Sequence, residues 1–433
     1  MYPREQYLKE IISKKDNGRI KIITGLRRSG KSVLLFQLYR EWLLGEGVKE
    51  DQIIALALDI LENARYRNPL ELDKYVRDHM VDPKKRYYIF IDEIQFVSEI
   101  QNPYVDNEDA KITFIDVILG FMHMDNADVY VTGSNSKMLS SDILTQFRDR
   151  GDEIRVYPLS FAEFYNEYEG DKRGAWQDYY TYGGMPLATS LESHEEKSRY
   201  LKDLFDRTYI KDVLERHEIK NDTEVLDILL DVLASGIGSL TNPSKLANTF
   251  KSERQIGIGS ETIEKYIGYF EESFLIEKAV RYDVKGRKYI RTPAKYYYTD
   301  MGLRNARLGF RQLEETHIME NVLYNDLIRR GMNVDVGVVE YNTKDADGKK
   351  IRKQLEVDFV VNQGGKDKIA INSEIQKALS KAGFSNDIIN YVASTVVKNL
   401  GMKNGKQQIY RTVIAKYGQN KGLTIYNHIK KYI

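Results

Sequence analysis

The segment Gly25-Leu26-Arg27-Arg28-Ser29-Gly30-Lys31-Ser32 sets two glycines, a lysine and a hydroxyl at the spacing G-x-x-x-x-G-K-[ST]. Glycines at those places let the backbone curl so that successive N–H groups point inward at phosphate oxygens. A helix opening at Lys31 would aim its positive dipole end at the same anion. Lys31 then reaches the β- and γ-phosphates and the Ser32 hydroxyl ligates Mg²⁺. Contacts to ATP are expected from Gly25, Arg28, Ser29, Gly30, Lys31, Ser32 and Val33. For Arg27 and Arg28 two readings stand level: a hold on the nucleotide, or solvated surface charge.

A second group of residues complements the first. Tyr87-Tyr88-Ile89-Phe90-Ile91 is an apolar run ending in Asp92 and Glu93. In an open α/β sheet, ligands bind beyond the C-terminal ends of the strands, which would set Asp92 beside the loop. Asp92 is expected to hold Mg²⁺ and Glu93 to polarise an attacking water. Gln95 either orients that site or is incidental. The run Val129–Thr132 leads into Gly133-Ser134-Asn135, where Ser134 or Asn135 would sense the γ-phosphate, or else cap the next helix. Arg148 and Arg150 read either as surface charge or as a finger reaching a neighbouring subunit's nucleotide, with Arg150 the expected catalytic one.

These residues need a scaffold of short strands and longer helices. Five Ile/Val/Tyr-rich runs, 20–24, 53–58, 87–91, 129–132 and 154–156, alternate with helical patterns such as Ser32–Leu44 and Thr113–Met124. Runs apolar on both sides predict strands covered by helices on both faces, hence a doubly wound α/β domain with a mostly parallel sheet. After Pro158 the pattern turns helical and charged, interrupted by Gly183-Gly184-Met185-Pro186. A hairpin with its tip at Lys285-Gly286 is expected within Val280–Thr299, and a helix plus a long hairpin within Glu315–Val361.

Composition narrows the class. The 433 residues exceed one core, so two or three domains are expected. Net charge is +1, with no whole-molecule pull toward nucleic acid or membrane, although the chain beyond Lys366 is basic. Zero cysteines exclude a disulfide framework, a thiol nucleophile and thiolate metal sites. No run of about 18 apolar residues and no signal-peptide pattern is present, so a cytoplasmic protein without a membrane partner is expected.

With these residues in hand, the chain resembles the AAA-type P-loop ATPases of bacteria and archaea that carry a C-terminal domain of unknown function, number 4143. The resemblance rests on residues 25–32, Phe90-Ile91-Asp92-Glu93-Ile94-Gln95, Thr132-Gly133-Ser134 and Tyr157-Pro158-Leu159-Ser160-Phe161. It continues through Gly183–Pro186, Tyr209-Ile210-Lys211-Asp212-Val213-Leu214-Glu215-Arg216-His217 and Glu356-Val357-Asp358-Phe359. One departure is Arg148-Asp149-Arg150, where a glycine usually separates the arginines. The resemblance implies a P-loop NTPase core with a parallel five-stranded sheet, residues 1–160, then a helical lid or linker at 161–225. A winged helix at 226–312 and a restriction-endonuclease-like domain at 313–377, degenerate here, would follow; after Gln376 the chain no longer resembles the family, and 378–433 reads as a basic helical extension that either binds nucleic acid or closes the domain. The resemblance implies ATP binding with Mg²⁺ and hydrolysis.

In the expected winged helix, Arg281, Lys285, Arg287, Lys288, Arg291 and Lys295, interleaved with Tyr282 and Tyr289, would grip double-stranded DNA phosphates; protein docking or a rigid spacer are the alternatives. Glu320 and Asp358 fall where an active nuclease of the third domain would bind metal. The matching strand puts Glu374 and Lys377 one residue too far apart, with Gln376 at the lysine position, which favours a structural role. The leading reading is an ATP-driven switch or motor, with a protein partner and a homo-oligomer as further expectations. The alternatives are an ATP-gated nuclease and a nucleotide-sensing adaptor; a small-molecule kinase is weaker.

Overall fold

The computed structural model describes residues 2–107, 109–133, 150–219, 223–283, 288–344, 350–363, 366–371, 379–385, 388–389, 391–392, 395 and 405–430. The chain divides into two compact units, residues 1–220 with Gly268–Leu275, and residues 221–267 with 276–433.

The first unit is built on a parallel five-stranded sheet in the order β2-β3-β6-β1-β7. Its strands are β1 Ile20–Thr24, β2 Ile53–Ala57, β3 Tyr87–Asp92, β6 Ala127–Thr132 and β7 Gly151–Arg155. β1, β3 and β6 are buried at every residue because helices cover both faces. Alternate residues serve opposite layers. Ile89, Ile91, Val129 and Val131 pack with Leu72, Val76, Ile118 and Phe121 from helices Pro69–His79 and Phe114–Met122. Tyr88, Phe90, Tyr130 and Ile154 pack on the other side with Tyr7 and Ile11 of helix Glu5–Ser13 and with Leu34, Leu35, Tyr39 and Leu43. The last four lie on a continuous helix after the glycine loop, α-helical over Lys31–Val33, π-helical over Leu34–Tyr39 and α-helical over Arg40–Gly45.

The two outer strands are only partly buried, and this explains the one misplaced run. In β7 only Ile154 is buried, so its apolar signal is a single residue and the strand starts three residues earlier than the run suggests. Between β3 and β6 a small hairpin pairs β4, Ile100–Gln101, with β5, Lys111–Ile112. After β7 the helices Phe161–Asn166, Ala175–Tyr182, Pro186–Thr189 and His194–Leu204 follow, then a π-helical turn at Phe205–Ile210 and helix Lys211–Arg216. Ser160 and Ser193 start two of these with reciprocal serine–glutamate caps to Glu163 and Glu196.

The second unit holds helices Thr223–Ser235, Pro243–Arg254 and most of Ser260–Glu272, then the hairpin β8 Ile276–Asp283 and β9 Lys288–Tyr298. This hairpin does not stand free as a wing. β8 runs parallel to β10, Asn333–Lys344, which continues antiparallel into β11, Lys350–Gln363, and β12, Lys366–Ile371. The result is one sheet, β12-β11-β10-β8-β9, spanning the expected second and third domains. Tyr297, Tyr324, Val336 and Phe359 form its core with helix Glu315–Arg329. Leu379, Val392, Ile409, Val413, Ile425 and Ile429 form a separate apolar cluster in the basic C-terminal part.

Candidate nucleotide site

At Gly25 the chain leaves β1 with φ +127°, and a Cβ there would lie 2.1 Å from the Val156 carbonyl oxygen. Only glycine fits, because the strand must turn over the backbone that continues β7. Gly30 has φ +98° and Arg28 φ 64°, so the loop closes through two further left-handed residues before the helix begins at Lys31. Inside the loop the Lys31 ammonium donates to the carbonyl oxygens of Gly25, at 3.0 Å, and Leu26, at 3.1 Å. Burial pushes this amine down to about 8, against the pull of Glu93 and Asp92, with the Arg27 charge adding to the depression. The buried Ser29 hydroxyl of the loop has no hydrogen-bond partner.

Asp92 ends β3 and is 6% exposed. Its carboxylate accepts from the Thr132 hydroxyl at the end of β6 and is hydrogen-bonded by the Ser32 side chain. Burial raises its pKa, and those two hydrogen bonds pull it back down. Ser32 and Asp92, 60 residues apart in sequence, are therefore neighbours. Glu93 follows in the left-handed region at φ 53°, its N–H held by the Thr132 hydroxyl at 3.1 Å and its carboxylate bonded by the Gln95 amide. The Gln95 carbonyl oxygen is buried without a partner.

Of these groups, Gly30, Lys31, Ser32 and Glu93 line a cavity of about 740 Å³ together with Arg27, Arg28, Val33, Asp59, Lys211 and Asp212, and Asp92 reaches it through its hydrogen bond with Ser32. The expected loop residues, Asp92 and Glu93 are thus brought together. Arg150 is not: its carbonyl accepts from Ile20 N–H at 2.9 Å, at the opposite end of β1 from the loop, and its side chain is exposed. The distance follows from strand direction, and any action of Arg150 on a nucleotide has to be on a second copy's. Ser134, Asn135 and Arg148 lie outside the described residues, as do Lys285, Arg287, Glu374, Gln376 and Lys377. The sequence reading missed Thr132, which ties the two acidic residues together, and missed Asp212; a threonine ending the strand beside β3 was the available signal.

In the second unit two residues assigned to phosphate contact are committed elsewhere. Lys295 is buried, its ammonium 2.8 Å from Glu320, 2.7 Å from Glu356 and 3.7 Å from Asp358. Arg281 is also buried and donates to the Thr292 carbonyl at 2.7 Å. β8 is an inner strand of the sheet, and β9, although at its edge, has Lys295 buried against Glu320 of helix Glu315–Arg329. Glu320 and Asp358 accordingly surround an internal cation. Among the described residues no group of three or more His, Cys, Asp or Glu side chains is arranged to hold a metal ion. Among the same residues no helix is long and apolar enough to cross a membrane.

A parallel sheet in this order, a glycine loop after β1 and an acidic pair ending β3 define a P-loop nucleotide-binding protein of the AAA type. Comparison with known families agrees: an AAA domain matches residues 17–165, and a domain of unknown function, DUF8612, matches residues 173–314, where the resemblance points to number 4143. An uncharacterized protein of Haemophilus influenzae is 34% identical over 362 residues, 82% of this chain and 86% of that protein. The chain belongs to the same family as that protein, one with an N-terminal AAA P-loop ATPase domain. The uncharacterized protein MJ1544 of Methanocaldococcus jannaschii is 28% identical over 377 residues, 83% of this chain and 76% of the relative. Among solved structures, the Walker-type ATPase PABY2304 of Pyrococcus abyssi is similar, with a TM-score of 0.47 and 12% identity over 71% of this chain and 96% of that one.

Proposed function

We propose that the chain binds Mg–ATP in the loop of residues 25–32 and hydrolyses it, as a switch acting on a partner engaged by the second unit. The observation that carries this is the convergence of Lys31, Ser32, Asp92, Thr132 and Glu93 at one mouth of the sheet. The residues suit the ligands. The orphaned Ser29 hydroxyl and the left-handed glycines leave hydrogen-bonding capacity for phosphate oxygens. Ser32 and Asp92 are hard oxygen donors side by side, the kind Mg²⁺ takes alongside substrate phosphates and water. Bound there, Mg²⁺ would supply charge neutralisation on the phosphate oxygens.

The chain's own residues account for the rest. Lys31 releases the Gly25 and Leu26 carbonyls and turns its charge toward the triphosphate. Glu93 accepts the proton of a water that attacks the γ-phosphorus in line, and the bond to the β–γ bridging oxygen breaks, yielding ADP and inorganic phosphate. Gln95 fixes the Glu93 carboxylate with its N–H, and its unpartnered carbonyl oxygen can accept from that water. Thr132 keeps Asp92 and Glu93 in register. A motor or switch needs a lever near the loop, and the helical turn at 205–216, which precedes the second unit in the chain, lies against it.

The test is phosphate release by the wild type and Glu93→Gln, with and without double-stranded DNA. The expected result is turnover in the wild type and a loss of about 100-fold or more in Glu93→Gln with ATP binding retained. Tight binding with no turnover in either protein would leave a nucleotide-sensing adaptor in its place. Stimulation by DNA would make DNA the partner.

A further inference from the structure

Arg27 is one of the two loop arginines whose role the motif leaves open. Its guanidinium Nη1 lies 3.1 Å from both carboxylate oxygens of Asp212, on helix Lys211–Arg216. The pair is half-exposed, 43% for Arg27 and 26% for Asp212. One residue pair deeper, the buried Tyr209 donates its hydroxyl to the Arg27 carbonyl at 2.7 Å. Tyr209 belongs to the π-helical turn Phe205–Ile210, a local geometry that often marks a functional position. Backbone and side chain of Arg27 are thus both held by the segment 205–216, which lies about 180 residues further along the chain.

Arg27 also faces the nucleotide cavity and its charge is felt at Lys31. The cavity wall carries four cations, Arg27, Arg28, Lys31 and Lys211, and four carboxylates, Asp59, Glu93, Asp212 and Glu215. A nucleoside triphosphate entering this balanced wall adds several negative charges at the loop. An arginine fork matches phosphate oxygens at least as well as a single carboxylate, and the triphosphate presents more charge. Asp212 and the triphosphate then compete for one guanidinium.

Building on the ATP-binding reading, we propose that Arg27 is a further phosphate-contacting residue and that Asp212 is its competitor, so that triphosphate binding loosens helix 211–216 from the loop. Asp212 is a positioning residue: it holds Arg27 off the phosphate when the loop is not engaged. The sign of the effect separates this from a bracing role. Replacing Asp212 by Asn keeps the shape but withdraws the competing charge, and binding of the triphosphate tightens. A brace would give weaker or unchanged binding.

The experiment measures the Kd of a non-hydrolysable ATP analogue and of ADP, by calorimetry, for the full-length wild type, Asp212→Asn, Arg27→Gln and the double variant. Asp212→Asn is expected to tighten the analogue roughly two- to fivefold, the range set by a half-exposed ion pair, and ADP by less. In the Arg27→Gln background the same change is expected to have no effect. Hydrogen exchange on the wild type gives a second reading free of any folding defect: amides of 205–216 are expected to exchange faster with the analogue bound. Unchanged or weaker binding by Asp212→Asn, tightening that persists without Arg27, or slower exchange in that segment overturns the competition while leaving ATP binding intact. A wild type that binds neither nucleotide overturns both readings.

Discussion

Raising the pH from about 7 to about 9.5 takes the proton off Lys31 in the free protein, and nucleotide affinity should follow. Its amine lies at about 8 instead of the ordinary 10.5. At about 1.4 kcal/mol per pH unit this corresponds to about 3 kcal/mol against the charged form. The cost to folding is fully present below pH 8 and fades toward pH 10.5, because in that window the unfolded chain keeps a proton the folded chain has released. A triphosphate reverses the balance by pairing with the ammonium, so binding above pH 8 must take up a proton. At pH 8.5 the uptake comes to about three quarters of a proton per site, and Kd rises by up to about tenfold per pH unit across the window. Calorimetry with a non-hydrolysable ATP analogue, in two buffers of different ionisation enthalpy, reads both quantities. Lys31→Arg stays charged throughout and should bind with a flat pH profile, whatever its absolute affinity. A wild-type Kd that does not change between these pH values, with no buffer-dependent heat, would refute the placement of a depressed lysine in the phosphate site.

Two further outcomes test the scaffold. Gly25→Ala forces a Cβ onto the Val156 carbonyl and should lower stability by about 3 kcal/mol or more in a denaturant melt, whereas Gly30→Ala meets nothing nearer than Pro186 Cγ at 4.0 Å and should cost only the backbone term of about 1–3 kcal/mol. Lys295→Met leaves Glu320 buried without its cation and should destabilise by about 3–5 kcal/mol near neutral pH. Burial already raises Glu320, so the variant should regain stability as the pH is lowered from neutral and that carboxyl takes a proton, and melts at neutral and mildly acidic pH check the direction.

Much of the first unit was legible because its strands announce themselves twice, as apolar runs and as carriers of loop and carboxylates. Residues 20–24 and 87–92 are buried throughout, and such runs have few alternative readings. β7 was less so, its only buried residue being Ile154. Where the reading failed, a distant partner decided. Lys295 looks like a solvated wing lysine until Glu320, Glu356 and Asp358 arrive from two other elements. The hairpin looks free until β10, some fifty residues later, pairs with β8 in parallel. Arg27 was undecidable locally because its partner is 185 residues away. Local chemistry fixed the loop; which charges are free to use it was settled by tertiary pairing.

Helix Ser260–Glu272 has a consequence for how the protein can be taken apart. Its last turns and the residues after it, Gly268–Leu275, count with the ATPase unit, where Tyr269 stacks on His217 at 3.4 Å and Phe274 lies under Arg155. The polypeptide therefore passes between units three times, near residues 220, 267 and 275. No single cut yields two whole halves. A fragment ending at residue 220 lacks the helix end and turn of Gly268–Leu275 that pack with it, and the complementary fragment carries that missing piece with its apolar Phe270, Phe274 and Leu275. A cut that respects both units has to leave residues 268–275 with the first, and no cut at a single peptide bond does so.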